Sequence, residues 1–270
     1  MPSTQAFMEE TGYNLLEPSK SYTLPETLTE ISGLALVNDS ILACVEDESG
    51  VIFIFSLSKG KMVDQLRFAG PGDYEGIALA GDHAYILKSN GSLYQYSIKD
   101  QTTNIIKTPL KRTNNPEGLA YDSVNNRLLI LCKGAAGLAG TKIEGKAIYA
   151  YYLSTGFNPE PIIVTTDETM SAWNKKQPAQ LQISHKRMNF MPSAIELNPL
   201  NGDLYILASI GKVLLVLSST GEIKHYAPLS PRVFRQPEGI CFTSTGDLII
   251  SNEGQDGSAV IQVFSRKLVN

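Results

Sequence analysis

Three short segments of the sequence place a glutamate directly before a glycine at the start of an apolar, strand-like run. The segments are "YEGIALA", "PEGLAYD" and "PEGICF", and their glutamates are Glu75, Glu117 and Glu238. An ionised carboxylate is costly to keep beside a buried strand unless a hydrogen bond or a positive charge compensates it. Carboxylate oxygens without neighbouring histidine or cysteine are typical ligands of a hard cation such as Ca²⁺. These residues predict a cation site, provided that the fold brings them together.

Two further segments follow the same pattern and complete a repeat. "EISGLAL" and "SAIELNP" carry Ser32 and Ser193 at the position of the glutamate. The five aligned residues are about 43 residues apart, except for one interval of about 76. After each segment come turn residues and alternating apolar runs, so that each unit contains four strands. A four-stranded unit with this period is typical of a β-propeller blade.

The predicted fold class is therefore all-β: a five-bladed β-propeller with four antiparallel strands per blade. The long interval leaves room for a sixth blade, but no further segment of the repeated kind, a Glu-Gly pair followed directly by an apolar residue, occurs between 125 and 190; the pair Glu144-Gly145 is followed by a lysine. The last unit has only three strand-like runs, so we expect "SKSYTLP" near the N-terminus to close the last blade and remove the open edges. We expect residues 1–270 to form a single domain, with a flexible segment at 1–12 and an insertion containing one short helix at 167–190.

The first strand of each propeller blade lines the central channel, so the glutamates are expected to converge on one axis. We predict a metal site formed by Glu75, Glu117 and Glu238, together with Glu30, which lies on the same side of its strand as Ser32. The ends of the second strands and the loops that enter the first strands reach the same mouth of the channel. There we expect a ligand or partner to bind to Asp47, Glu48, Lys88, Lys133, Arg112, Arg235 and Glu253.

The basic residues of this mouth leave two other interpretations open. Arg112, Arg235, Lys88 or Lys133 could pair with the glutamates in a purely structural network, without any metal ion. The same cations could instead bind an anionic ligand.

The composition excludes several classes of function. A net charge of −4 and a pI of about 5.5 disfavour nucleic acid as a partner. Apolar runs such as "VIFIF" are far shorter than the roughly 20 residues of a membrane-spanning helix, so we expect none. No signal peptide is visible. Three cysteines inside apolar runs predict buried thiols rather than a disulfide framework, and we expect a monomer.

The order of these segments resembles the SdiA-regulated family, bacterial proteins that are distantly similar to NHL-repeat propellers. The resemblance rests on "EISGLA", "VEDESG", "GDYEGIA", "NPEGLAY", "PSAIEL" and "PEGI" and extends from about Tyr13 to the end of the chain. It implies a five-bladed propeller with a bound calcium ion, a periplasmic or cell-surface location, and no established biochemical activity. It also implies Glu196, in "AIEL", as a further metal ligand. Glu196 is three residues beyond Ser193 and would reach the axis only if its strand bulges or starts deeper.

The expected function is that of a calcium-binding propeller that binds an unknown protein or small ligand at the channel mouth. The alternative is a calcium-dependent hydrolase, similar to a lactonase or esterase, in which the axial metal polarises a carbonyl group. Such an enzyme also needs a group that transfers protons, and His83, His185 and His225 are scattered over outer strands and the insertion. The sequence therefore identifies no catalytic residue.

Overall fold

The computed structural model describes residues 2–184, 189–255 and 257–267 of the chain. Its strands form five antiparallel sheets, and the first strands of neighbouring sheets pack against one another around a ring. The predicted all-β, five-bladed β-propeller is confirmed.

The strands follow the chain from the inside of each blade to its outer edge. Blade one contains β2 (Ile31–Asn38), β3 (Ile41–Glu46), β4 (Val51–Ser56) and β5 (Lys61–Arg67). Blade two contains β6 (Tyr74–Ala80), β7 (His83–Lys88), β8 (Leu93–Ser97) and β9 (Thr102–Ile106). Blade three contains β10 (Pro116–Asp122), β11 (Arg127–Cys132), β12 (Lys146–Tyr152), β13 (Gly156–Phe157) and β14 (Ile163–Thr165). Blade four contains β15 (Met191–Leu197), β16 (Leu204–Ile210), β17 (Val213–Leu217) and β18 (Ile223–Pro228).

Blade five combines the two ends of the chain. It contains β19 (Pro237–Phe242), β20 (Leu248–Asn252) and β21 (Val260–Phe264), and β1 (Lys20–Thr23) forms its outer strand. β1 is antiparallel to β21, with Lys20 opposite Val263 and Thr23 opposite Val260. The predicted closure by the N-terminal strand is thus confirmed, and it gives β21 the hydrogen-bonding partner that the C-terminal strands alone would lack.

The outer strand of blade three is divided into β13 and β14, which pair with opposite ends of β12. The residues between the two pieces include Pro159 and Pro161. Proline has no backbone N–H to donate to the ladder, which accounts for the interruption. The long interval of the repeat therefore contains the rest of blade three and a helix, α2 (Asp167–Lys176), and no sixth blade.

The N-terminal segment, expected to be flexible at 1–12, forms a helix, α1 (Pro2–Thr11). Phe7 of this helix is 2% exposed, and the Thr4 hydroxyl donates a hydrogen bond to the carbonyl of Pro228 at 3.3 Å. One face of α1 is therefore packed against blade four.

The insertion at 167–190 contains α2 and a 3₁₀ turn at Ala179–Leu181. The Thr166 hydroxyl caps α2 by accepting a hydrogen bond from the backbone N–H of Thr169. Met170 and Ile183 are buried with side chains of blades three and four. The described part of the insertion thus fills the outer space between these two blades.

Five hydrophobic clusters hold the blades together, one at each interface between neighbours. Between blades one and two, for example, the ring of Tyr74 meets the ring of Phe68 edge-on at 4.8 Å. Burial of these apolar surfaces fixes the angle between blades and therefore the width of the channel. Within the described residues, no helix is long and apolar enough to span a membrane.

Candidate functional site

A β-bulge occurs at the same place in all five first strands. In β6, Tyr74 is opposite Lys88 and Gly76 is opposite Leu87, so Glu75 has no cross-strand partner. The other four first strands shift register at the equivalent residues, Ser32, Glu117, Ser193 and Glu238. A bulge removes a residue from the ladder and redirects its side chain. Five equivalent bulges therefore form one layer around the channel.

This layer surrounds a small void on the propeller axis. The void measures about 10 Å³, and its wall includes Ser32, Glu75, Glu117 and Glu238. Such a volume holds about one water-sized particle. A Cβ added to Gly33 would be 2.9 Å from the Cα of Gly76, so the glycines let neighbouring first strands approach closely enough to enclose it.

The charge of Glu117 acts on the carboxylates of both Glu75 and Glu238. Burial raises the pKa of Glu75 to about 9, with further contributions from the charges of Glu117 and Asp73. Burial and the charge of Glu117 raise the pKa of Glu238 to about 7. Like charges in a poorly solvated site disfavour ionisation of one another. The predicted convergence of the three glutamates thus agrees with their electrostatics.

Glu117 has the main compensating contacts. Its Oε1 atom is 3.1 Å from Nζ of Lys133 and accepts a hydrogen bond from Nδ2 of Asn115 at 2.6 Å. Burial nevertheless outweighs these contacts and raises the pKa of Glu117. Burial tends to lower the pKa of Lys133, but Glu117, Glu238 and Glu75 together raise it. Lys133 is the lysine whose positive charge faces all three carboxylates, and it forms an ion pair with only Glu117 among the described contacts.

A second acidic group occupies the rim between blades one and five. Burial raises the pKa of Asp47 to about 6, with contributions from Glu30 and other nearby carboxylates. Burial, Glu238 and Asp47 raise the pKa of Glu253 to about 8. Two buried oxygens here, Oδ1 of Asp47 and Oδ1 of Asn252, have no hydrogen-bond partner. The rim therefore has closely spaced carboxylates and unused acceptors, although the charges of Lys133 and Lys212 act on Glu253.

The remaining predicted mouth residues differ in their surroundings. Nζ of Lys88 lies 5.2 Å from the centre of the Tyr74 ring, between blades one and two. Arg112 forms an exposed ion pair with Asp73 at 3.2 Å. Glu30, Glu48 and Arg235 are exposed. Glu30, predicted as a metal ligand, is located on the rim beside Asp47 rather than in the wall of the axial void.

Glu196 is separated from the other predicted ligands. The bulge at Ser193 does bring it to the channel, but it faces a different cavity, lined by the last residues of the first strands at the opposite end of the channel. Each first strand runs along the channel, and Glu196 is nearer the end of its strand than Ser193 is. The structure therefore does not group Glu196 with Glu75, Glu117 and Glu238.

Three polar residues that precede the glutamates were not predicted from the sequence. Asp73, Asn115 and Gln236 each lie two residues before Glu75, Glu117 and Glu238, respectively. Asn115 donates to Glu117, Gln236 donates to Glu253, and Asp73 accepts from the hydroxyl of Ser89. All three directly precede the first residue of a blade's inner strand, and this constant position relative to the repeated glutamates is the signal that the sequence offers.

The carboxylate oxygens on the axis suit a hard cation, but they do not form a complete coordination site in this arrangement. Among residues 2–184, 189–255 and 257–267, no three His, Cys, Asp or Glu side chains are grouped closely enough to hold a metal ion. The oxygens of Glu75, Glu117 and Glu238 nevertheless line one void with Ser32. Their side chains must come closer together before they can share an ion.

The described histidines lie outside the channel. Nδ1 of His225 is 2.9 Å from a carboxylate oxygen of Glu10 on α1, at the outer edge of blade four. His83 begins β7 and packs against the ring of Tyr85. His185 lies outside the described residues. Neither described histidine is near the axial carboxylates, and both are poorly placed to transfer protons there.

Five bulged first strands around a carboxylate-lined void define a β-propeller with an acidic axial site. The model of the SdiA-regulated family matches residues 18–255, and the chain belongs to this family. No curated protein matches the chain.

Solved structures share the fold at low sequence identity. Myxococcus xanthus glutaminyl cyclase is 16% identical, with a TM-score of 0.61, and 94% of this chain covers 97% of that chain. A protein of unknown function from Bacteroides thetaiotaomicron is 11% identical, with a TM-score of 0.54, and the match covers 94% of this chain and 61% of that one. A chain of a nidogen/laminin complex is 16% identical, with a TM-score of 0.53, and the match covers 82% and 72%. These likenesses concern the fold alone.

Proposed function

We propose that the protein is a calcium-binding propeller that acts as a binding protein. Ca²⁺ is held on the axis by Glu75, Glu117 and Glu238, and a ligand or partner binds at the adjacent acidic mouth. The observation that carries this proposal is that three carboxylates with raised pKa values, the buried Glu117 and Glu238 and the half-buried Glu75, line one void on the axis. A divalent cation would relieve their repulsion.

The charges at the mouth support a cationic rather than an anionic ligand. Lys133 and Arg112 are each paired with a carboxylate, and Lys88 lies against aromatic rings. Asp47 and Glu253 have no described ion-pair partner. A ligand or partner with positive groups therefore complements this surface.

Calcium would also connect the blades. Its three carboxylate ligands come from blades two, three and five, and the void of about 10 Å³ is too small to hold a substrate beside the metal. These features support a structural and binding role over hydrolysis, which needs an open metal position for the substrate.

The experiment is a thermal melt of the metal-free protein with and without Ca²⁺. At 100 times the dissociation constant, a ligand specific for the native state stabilises it by about 2.7 kcal/mol. For a chain of this size, we expect the Tm to rise by roughly 5 °C. Glu75→Gln should lose most of this rise, because the amide has no charge with which to bind the ion.

The matched control is Glu160→Gln, which removes an exposed carboxylate from the loop between β13 and β14. This variant should keep the full response to calcium. An unchanged Tm of the wild-type protein after Ca²⁺ is added to the metal-free form would overturn the proposal. If calcium raised the Tm of Glu75→Gln as much as that of the wild-type protein, the ion would bind somewhere other than the axis.

A further inference from the structure

The opposite end of the channel contains a separate cavity of about 220 Å³. The last residues of all five first strands contribute to its wall, which begins where the axial void ends. Its apolar side chains include Leu36, Leu79, Leu197 and Phe242. The cavity is therefore distinct from the acidic mouth, and it offers apolar contact as well as space.

One carboxylate, that of Glu196, lies in this apolar wall. Glu196 is three residues beyond Ser193, and the corresponding residues of the other first strands are all small: Ala35, Ala78, Ala120 and Cys241. The repeat therefore uses a small apolar residue where blade four has a glutamate. The four small residues leave the space, and Glu196 supplies the only charge at this position of the repeat.

The surroundings of Glu196 leave its charge largely uncompensated. Its Oε1 atom accepts a hydrogen bond from the backbone N–H of Leu197 at 2.8 Å, and no cation forms an ion pair with it in the described part of the chain. Burial raises its pKa to about 8. The residue keeps some accessible surface although protein surrounds it, as expected for a group that opens into a cavity. A buried carboxylate without a positive partner is unfavourable, and a cationic ligand would remove that penalty.

The size of the cavity limits the ligand. An apolar cavity of about 150 Å³ is known to hold a benzene molecule, and drug-sized ligands need about 300 Å³ or more. A volume of about 220 Å³ thus fits one six-membered ring with a short arm. The aromatic ring of Tyr121 and the hydroxyl groups of Ser123 and Thr243 complete the wall.

We propose that this cavity binds a small organic monocation, a ring with a primary ammonium group on a short arm. The ammonium group pairs with Glu196, and the ring packs among Leu36, Leu79 and Phe242. This site is independent of the proposed calcium site, because it shares no carboxylate with the axial group and lies at the other end of the channel.

The test is a calorimetric titration with three probes that share one ring: 2-phenylethylamine, 2-phenylethanol and phenylacetate. The titrations are made in chelator, so that their outcome does not depend on calcium, and at pH 9, where Glu196, with a pKa of about 8, is mostly ionised and the primary ammonium group keeps most of its charge. We expect the amine to bind at least about tenfold more tightly than the alcohol, because only the amine forms a charged hydrogen bond with Glu196. Phenylacetate should bind more weakly than the alcohol, because its charge repels that of Glu196.

Glu196→Gln should weaken binding of the amine at least about tenfold and leave binding of the alcohol unchanged. Glu222→Gln, an exposed carboxylate in the turn before β18, is the matched control and should change neither. Ser123→Trp changes an exposed residue at the cavity rim and should weaken binding of both probes while the protein stays folded. Equal affinities of amine and alcohol for the wild-type protein, or no binding of the amine, would overturn the proposal.

Discussion

Glu75 links the stability of the protein to pH. Its pKa is raised in the folded state to about 9, whereas an exposed glutamate in the unfolded chain titrates near its usual value of about 4.3. Between these values the native state holds a proton that the unfolded state releases. The contribution of Glu75 to stability is therefore complete below the unfolded pKa and is lost as the pH rises towards about 9.

We therefore predict that Glu75→Gln stabilises the metal-free protein at high pH and has little effect at low pH. The glutamine resembles the protonated glutamate, so the two proteins should have similar Tm values near pH 5, and the variant should have the higher Tm at pH 8 to 9. Thermal melts in chelator measure this difference. A wild-type Tm equal to or above that of the variant at pH 8 to 9 would contradict the raised pKa of Glu75.

The raised pKa values of the axial glutamates also make calcium binding depend on pH. The ion needs ionised carboxylates, and the pKa values of Glu75 and Glu238, about 9 and about 7, mean that protons compete with it at neutral pH. We predict that the apparent affinity for Ca²⁺ rises from pH 6 to pH 9, as measured by calorimetry at several pH values. An affinity that falls over this range would show that these carboxylates do not hold the ion.

Single residues were predictable to different degrees. Glu75, Glu117 and Glu238 were identified because each precedes a glycine in a repeated segment. Glu196 was assigned to the same site by resemblance, yet it faces the other end of the channel. A bulge was allowed for, but Glu196 is three residues further along its strand than Ser193, and at about 3.3 Å per residue this places its Cα roughly 10 Å along the channel.

At the scale of secondary structure, α1 is the element that differs most from expectation. Its buried face includes Thr4, Phe7 and Thr11, and the Thr11 hydroxyl donates a hydrogen bond to the carbonyl of Phe7 at 2.6 Å. Two of these three buried positions hold threonine, which is neither an apolar residue nor a strong helix former. The sequence therefore lacks the helical spacing of apolar residues that would predict α1. The strands, by contrast, were predictable from their alternating apolar residues and turn sequences.

We predict that Phe7→Ala detaches α1 from blade four without unfolding the propeller. Phe7 is buried beside the blade-four strands and meets the ring of His225 edge-on at 5.7 Å. Replacing a buried phenylalanine by alanine lowers stability by about 3–5 kcal/mol in a protein core. A short terminal helix has few other contacts to hold it in place after such a loss. Hydrogen exchange of the α1 amides should accelerate strongly, while that of β16 and β17 stays slow.

The control for this variant is Glu9→Gln, on the exposed side of the same helix. It should leave exchange in α1 close to that of the wild-type protein. If Phe7→Ala keeps wild-type protection in α1, the helix is held by contacts other than that of Phe7.

For the whole molecule, the repeat determined the number of blades and the closure of the ring. A fifth unit with three strand-like runs needs a fourth strand, and the antiparallel pair of β1 and β21 supplies it. The position of the axial site follows from this closure, because the first strands are equivalent only in a complete ring. The detailed arrangement of charges followed only in part: Lys133 was one of the cations that could pair with the glutamates, but its pairing with Glu117 depends on the register of β10 and β11, in which Pro116 is opposite Cys132.

Anomalous diffraction from crystals grown with Ca²⁺ would show directly whether the axial glutamates hold the ion. We expect one calcium peak on the propeller axis, with oxygens of Glu75, Glu117 and Glu238 at about 2.3–2.6 Å from the ion. A crystal in saturating calcium whose axis shows no peak, with each glutamate turned to its own protein partner, would contradict it.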